Sequence, residues 1–195
     1  FLIVIKFVHL NNAFDKIRNH FKRVSMAHKH LFLSVAFAAS LLAGVVLPAS
    51  ALAPAAGKTI LSVTGLVGDK NTDTAAVFDM AMLEKLPQRT FTTHTPWDKQ
   101  PMTFTGPLLR DVLAAVKASG TQLKAVALND YQTTIPVEDA QRFDVIVAFK
   151  LNGQAIPVKT KGPLFIVYPF DSKVELQTTR YYERSAWQLK SIKVE

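Results

Sequence analysis

Four short stretches carry the residue types that could do chemistry: His94-Thr-Pro-Trp97, Asn129-Asp-Tyr131, Lys161-Gly-Pro163 and Arg180-Tyr-Tyr-Glu-Arg-Ser-Ala-Trp187. Together they offer indole and phenol rings, a carboxylate, an amide, hydroxyls and cations. A flat heteroaromatic ligand needs such parts: a ring to stack on, a hydrogen-bonding edge and one or two cations. Each stretch also has a plain architectural reading. Trp97 and Trp187 can fill a core. Asp130 before Tyr131 is an ordinary turn residue. Lys161-Gly-Pro163 is an ordinary loop, and Tyr181, Tyr182 and Arg184 read as one strand with alternating faces. Only convergence of the four in the fold makes a site.

Other chemistries find less support. His94 is the single histidine after residue 51, so a Ser-His-Asp arrangement would have to use it, and no nucleophile-elbow pattern occurs. No pair of histidines stands at metal-ligand spacing. The chain has no cysteine, which removes thiolate ligands, cysteine nucleophiles and disulfides. No GxGxxG or P-loop is present to cradle a nucleotide phosphate.

The elements that must position these residues are mostly strands. Lys58–Val67 is β-branched and ends at Gly68-Asp69. Asp79–Leu86 reads as a short helix stopped by Pro87, and Arg89–Thr93 as a second strand. Pro107–Ser119 is the clearest helix, with proline at its start, Gly120 past its end and an apolar stripe of Leu108, Leu109, Val112, Leu113 and Val116. Leu123–Leu128 and Gln132–Ile135 read as strands, and Pro136–Ala140 as a helical turn. Val145–Leu151 and Gln154–Val158 flank Asn152-Gly153, a strong hairpin pattern. Leu164–Tyr168 and Trp187–Val194 complete the strands. Many strands, few short helices and no βαβ rhythm predict an α+β fold with mixed or antiparallel sheets around one core.

The N-terminal region reads differently. Met26-Ala-His-Lys-His opens a short basic stretch, LFLSVAFAASLLAGVVL follows without a charge, and Pro48-Ala-Ser-Ala51 supplies small residues for cleavage. This pattern predicts a signal peptide over residues 26–51, cut after Ala51, and a periplasmic mature domain over residues 52–195. Residues 1–25 read as an upstream extension. Residues 1–51 hold six of the 23 Lys/Arg and one of the 15 Asp/Glu, so the remaining 17 and 14 leave +3 of the full +8. A body that near neutral offers no basic face for nucleic acid.

The order of segments LSVTGLV, LEKLP, TFTGPLLRDVL, ALNDYQTTIPVED, DVIVAFKLNGQAIP, KGPLFIVYP and WQLKSIKV resembles the molybdopterin-binding domain of the sulfite-oxidase family, from Lys58 to Val194. The resemblance implies a pterin cofactor held by the loops of a single α+β domain. In the enzymes of that family a cysteine thiolate holds molybdenum in the loop before the FTGPLL segment, and a His-Gly-x-Pro-x-Arg pattern comes later. The corresponding stretches here are Thr92–Thr95, without cysteine, and Lys161-Gly-Pro-Leu-Phe165, without that histidine and arginine. Neutral threonine or histidine does not replace a soft thiolate.

Within the family, THTPW, FTGPLLRDVL, ALNDY, KGPLFIVYPFD and RYYERSAWQL are similar to a branch of periplasmic pterin-binding proteins, the PruR type. That resemblance implies a non-enzymatic protein that binds a pterin without molybdenum. It also implies a partner: the periplasmic domain of an inner-membrane diguanylate cyclase or phosphodiesterase, through which pterin status reaches cyclic di-GMP and surface attachment. The alternatives are a molybdopterin-dependent oxidoreductase with a non-cysteine ligand and an interaction module without ligand. The expected binding residues are Thr95, Trp97, Asn129, Asp130, Tyr131, Lys161, Arg184, Ser185 and Trp187. In this reading Asp130 accepts from the pterin amine and ring N–H, Trp97 or Trp187 stacks on the ring, and the polar residues meet the carbonyl or the side chain. Catalytic and metal-ligating residues are expected to be absent.

Overall fold

Strand pairing between the two ends of the domain organises the fold. The computed structural model describes residues 52–195; the upstream extension and the signal peptide expected over residues 1–51 lie outside them. A five-stranded sheet runs in the order β2-β1-β11-β5-β6, with β1 Leu61–Gly65, β2 Ala76–Phe78, β5 Gln122–Ala127, β6 Gln132–Pro136 and β11 Leu189–Val194. β1 and β11 pair in parallel and the other neighbours are antiparallel. A four-stranded sheet runs β3-β4-β8-β9, with β3 Gln88–Thr95, β4 Asp98–Pro107, β8 Lys150–Leu151 and β9 Gln154–Ala155. β7 Ile146–Ala148 and β10 Phe165–Val167 form a third, antiparallel pair. Four short helices, α1 Met80–Lys85, α2 Leu109–Ala115, α3 Val137–Arg142 and α4 Thr179–Arg184, join them. The fold is α+β with mixed sheets, as the segment pattern predicts.

Local chemistry explains several boundaries. Asp79 caps α1, its carboxylate accepting from the Met82 N–H at 2.9 Å. The β8–β9 turn places Asn152 and Gly153 both at positive φ, 50° and 81°, the geometry an Asn-Gly hairpin favours. The β3–β4 ladder carries hydroxyl pairs on one face, Thr90 with Thr105 at 2.9 Å and Thr92 with Thr103 at 2.8 Å.

Three expectations are corrected. The helix expected over Pro107–Ser119 is only α2, Leu109–Ala115, because Gly106 and Pro107 belong to β4. At its other end Lys117 turns to φ 49°, with Lys117 N–H on the Ala114 carbonyl and Ala118 N–H on that of Leu113. These are the paired bonds of a Schellman stop, made three residues before the glycine. The strand over Val145–Leu151 is broken between β7 and β8 at Phe149, which donates sideways to the Thr105 carbonyl. Finally, Tyr181, Tyr182 and Arg184 sit on helix α4, not on a strand.

The core runs between the sheets. Leu61, Val63, Phe104, Leu109, Leu123, Ile146, Phe165 and Ile192 are all inaccessible to solvent. β4 crosses β7 closely enough that a Cβ on Gly106 would strike the Val147 carbonyl. This close packing fixes the β3–β4 hairpin, and that hairpin carries the first candidate site residue at its tip.

Candidate functional site: an aromatic cavity at three chain turns

The Thr92–Trp97 stretch is the end of the β3–β4 hairpin. Thr95 is buried, and its Oγ1 donates to Asp98 Oδ2 at 2.8 Å while accepting from the Asp98 N–H at 3.1 Å and the Trp97 N–H at 3.3 Å. These bonds fix Pro96-Trp97 as a tight turn that aims the indole back over the core. Trp97 meets Trp187 edge-on, with centroids 5.3 Å apart and planes at 88°. It also contacts Phe165, Phe170 and Tyr182 at 5.9, 6.3 and 6.1 Å. Edge-to-face pairs of this kind each add about 0.5–1.5 kcal/mol beyond area burial.

A cavity of about 260 Å³ opens beside this cluster, lined by Trp97, Asn129, Tyr131, Tyr182, Glu183, Ser185 and Trp187. Three chain segments build it. The β3–β4 turn brings Trp97. The β5–β6 turn brings Asn129 and Tyr131, shaped by Asp130 at φ 65° and by Asn129 Oδ1 accepting from the Tyr131 N–H at 3.2 Å. Helix α4 and the residues after it bring Tyr182, Glu183, Ser185 and Trp187. The Tyr131 hydroxyl donates to the Glu183 carbonyl at 2.8 Å and so ties the second segment to the third. Trp187 is held in an isolated bridge to Phe165.

Of the nine residues expected to bind, the structure brings five to the cavity wall: Trp97, Asn129, Tyr131, Ser185 and Trp187. Ser185 is buried and its Oγ already donates to the Tyr181 carbonyl at 2.9 Å, which leaves it an acceptor toward the cavity. The other four stand elsewhere. Asp130 faces solvent, its side chain 80% exposed, and accepts from Lys190 Nζ at 2.6 Å. That hydrogen bond, together with the Lys190 charge, holds its carboxyl below the ordinary value of 3.8. The amine-reading role expected of Asp130 therefore lacks the placement it needs.

Arg184 turns away to Asp139. Its Nη1 donates to Asp139 Oδ2 at 2.7 Å, and the buried Tyr168 hydroxyl donates to the same oxygen at 2.8 Å. Burial, followed by the Asp139 charge, pushes the Tyr168 phenol far up. Thr95 and Lys161 form one set behind Trp97. Lys161 Nζ donates to Asp98 Oδ2 at 2.6 Å and lies 5.8 Å from the Trp97 ring centroid. Burial raises the Asp98 carboxyl, but hydrogen bonds from Lys161 and Thr95 outweigh it and hold it below 3.8. These two residues support a cavity wall; they do not line it.

Two wall residues, Tyr182 and Glu183, were missing from the expected set. Read as a strand, Tyr181 and Tyr182 face opposite sides. Helix α4 instead places Tyr181 and Ser185, four apart, on one buried face and brings Tyr182 and Glu183 to the cavity.

His94 takes no part in this cavity. Its backbone N–H and its Nδ1 both meet Asp171 Oδ2, at 2.8 and 2.9 Å. Burial raises the Asp171 carboxyl, but the His94 contacts outweigh it and hold it low. Thr93, buried like Thr95, accepts from the Asp171 N–H at 3.0 Å. Among the described residues no group of three or more His, Cys, Asp or Glu side chains is placed to hold a metal ion.

Comparison with known proteins agrees with this architecture at the level of the family. No curated protein matches the chain. The family model described as the oxidoreductase molybdopterin binding domain matches residues 56–171, more than half of the sequence and a span that includes Trp97, Asn129 and Tyr131. The chain belongs to the oxidoreductase molybdopterin-binding domain family.

Proposed function

We propose that this chain binds a pterin without molybdenum in the Trp97–Trp187 cavity. One observation carries the reading: four rings from three separate segments, Trp97, Tyr131, Tyr182 and Trp187, converge on one small cavity in a molybdopterin-binding scaffold. Its volume of about 260 Å³ lies just under the roughly 300 Å³ at which pockets for drug-sized ligands begin, a size that suits a bicyclic ring. Asn129, Glu183 and Ser185 supply a polar edge beside the rings.

A thiolate-held molybdenum does not fit the residues present. The stretch corresponding to the thiolate loop offers Thr93, bonded to the Asp171 N–H, Thr95, bonded to Asp98, and His94, whose Nδ1 is engaged by Asp171. None is a soft donor. The pterin half of the cofactor has its counterpart in the aromatic wall, while the metal half has none in the donor set.

The biological reading rests on the resemblance to the periplasmic pterin-binding branch of PruR type and on the leader pattern of residues 26–51. In this reading the chain is exported to the periplasm and is not an enzyme. Ligand binding orders the β5–β6 turn against α4, and the periplasmic domain of a membrane protein that makes or degrades cyclic di-GMP reads the ordered surface.

The test is direct. The full chain is expressed in a bacterium that makes molybdopterin, purified and denatured. The extract is oxidised and chromatographed for pterin fluorescence, with molybdenum measured on the same sample. Pterin without molybdenum is the expected result. Molybdenum near one per chain would replace the proposal with a molybdenum oxidoreductase. No pterin, and no binding when pterins are added back, would leave an interaction module.

A further inference from the structure

Four acidic side chains stand in or around the cavity, and three are committed elsewhere. Asp98 is held by Lys161 at 2.6 Å, Asp130 by Lys190 at 2.6 Å and Asp139 by Arg184 at 2.7 Å. Glu183 is the fourth. It lines the cavity and makes no ion pair among the described residues. Only its main chain is engaged, where the Tyr131 hydroxyl donates to its carbonyl and pins the end of α4 to the β5–β6 turn. The cavity thus has aromatic faces and one carboxylate-bearing residue in its wall, and that carboxylate is an acceptor.

We infer that Glu183 sets the ligand specificity of the cavity by selecting heterocycles that present two adjacent N–H donors on one edge. The inference rests on the pterin reading above and deepens it. A pterin carries its exocyclic amine beside a ring N–H, so both hydrogens point the same way in the ring plane. A carboxylate matches that pair with two parallel, charge-assisted bonds. The 2-oxo counterpart, lumazine, has a carbonyl where pterin has the amine. Its oxygen would then face a carboxylate oxygen, and neither could donate. Glu183 is exposed, so the selection comes from the acceptor-against-acceptor clash with the lumazine carbonyl and from the lost charge-assisted bond, not from a buried group left unpaired. Flavins share lumazine's dioxo edge and fall on the rejected side.

The position suits a test, because Glu183 is exposed on a helix end and its substitution disturbs no core contact. Binding of pterin and of lumazine to the full chain would be titrated for wild type, Glu183→Gln and Glu183→Ala, with circular dichroism as the check on folding. Wild type is expected to prefer pterin by on the order of tenfold, the low end for a charge-assisted bond at an exposed carboxylate. Glu183→Ala should lose at least tenfold for pterin and little for lumazine. Glu183→Gln presents one acceptor and one donor, which matches the lumazine edge, so its preference should collapse toward unity or reverse.

Pterin binding by wild type with the same affinity and preference in both variants would overturn the role of Glu183 and leave the cavity assignment standing. Failure of wild type to bind pterin would overturn both. A wild type that binds lumazine as tightly as pterin would overturn the specificity claim alone.

Discussion

The Thr95–Asp98–Lys161 set shows how a residue chosen for its chemistry can serve a site without touching the ligand. The sequence nominated the Thr95 hydroxyl beside Trp97 and the Lys161 cation in a separate loop, and residue type alone could not say which would face the cavity. In the structure the cation and the hydroxyl satisfy the carboxylate, and the turn so fixed presents Trp97. The Asp98 and Lys161 side chains are 22% and 20% exposed, sheltered enough for the pair to count toward stability. Asp98→Asn is expected to destabilise the fold by about 1.5–3 kcal/mol at neutral pH. The pH dependence follows from the sign of the shift. The folded-state pKa of Asp98 lies below 3.8, so its contribution is present above that pH and lost as pH falls through the lower folded value. Urea unfolding of wild type and variant from pH 7 down to pH 3 should show the gap narrowing below about pH 4. A gap that stays constant over that range would show that the carboxylate charge is not what the pair contributes.

Elements were legible in the sequence where local pattern decides and illegible where tertiary contacts do. The Asn-Gly hairpin, helix α1 and the short apolar strand β5 could all be read locally, although the structure shows β5 buried on alternate residues only. β4 could not: DKQPMTFTGP contains two prolines, a glycine and two charges, a poor strand by composition. It holds because β3 pairs with it from Thr95–Asp98 to Gln88–Pro107, while β8 pairs only with Phe104 and Thr105 and so leaves the other edge open at Pro101. Helix α4 was equally hidden, since its two tyrosines favour strands on propensity. What keeps α4 in place is the buried Asp139 on α3, which accepts from Arg184 on α4 and from Tyr168 just past β10. Asp139→Asn removes the charge and leaves the guanidinium, with a side chain 20% exposed, without its anion. The expected cost is about 3 kcal/mol. Because α4 carries Tyr182 and Glu183, pterin affinity should fall as well. Urea unfolding and a pterin titration of the same variant check the two effects. Unchanged affinity in a variant destabilised by that amount would show that the cavity wall does not depend on this anchor.

At the scale of the whole molecule, the site exists because distant segments meet, which one-dimensional pattern could not show. Trp97 and Trp187 are ninety residues apart, and their contact depends on β11 pairing with both β1 and β5, which closes the sheet from the chain's far end. The sequence could nominate both rings, yet it equally allowed two unrelated core residues. Their convergence has a measurable consequence. These are the only two tryptophans in the chain, and both line the cavity, so the protein's entire indole emission originates at the proposed site. A pterin lying against either ring should quench a large part of that emission in a saturable manner, and Trp187→Phe should leave a signal from Trp97 that quenches with it. Ligand that binds only the folded state also stabilises it, by about 2.7 kcal/mol at a hundredfold excess over Kd. For a domain of this size that corresponds to a rise in Tm of roughly 5–10 °C. The two readouts must move together at the same ligand concentration. Thermal stabilisation without quenching would place the pterin elsewhere on the fold, because no ligand can fill this cavity without touching an indole.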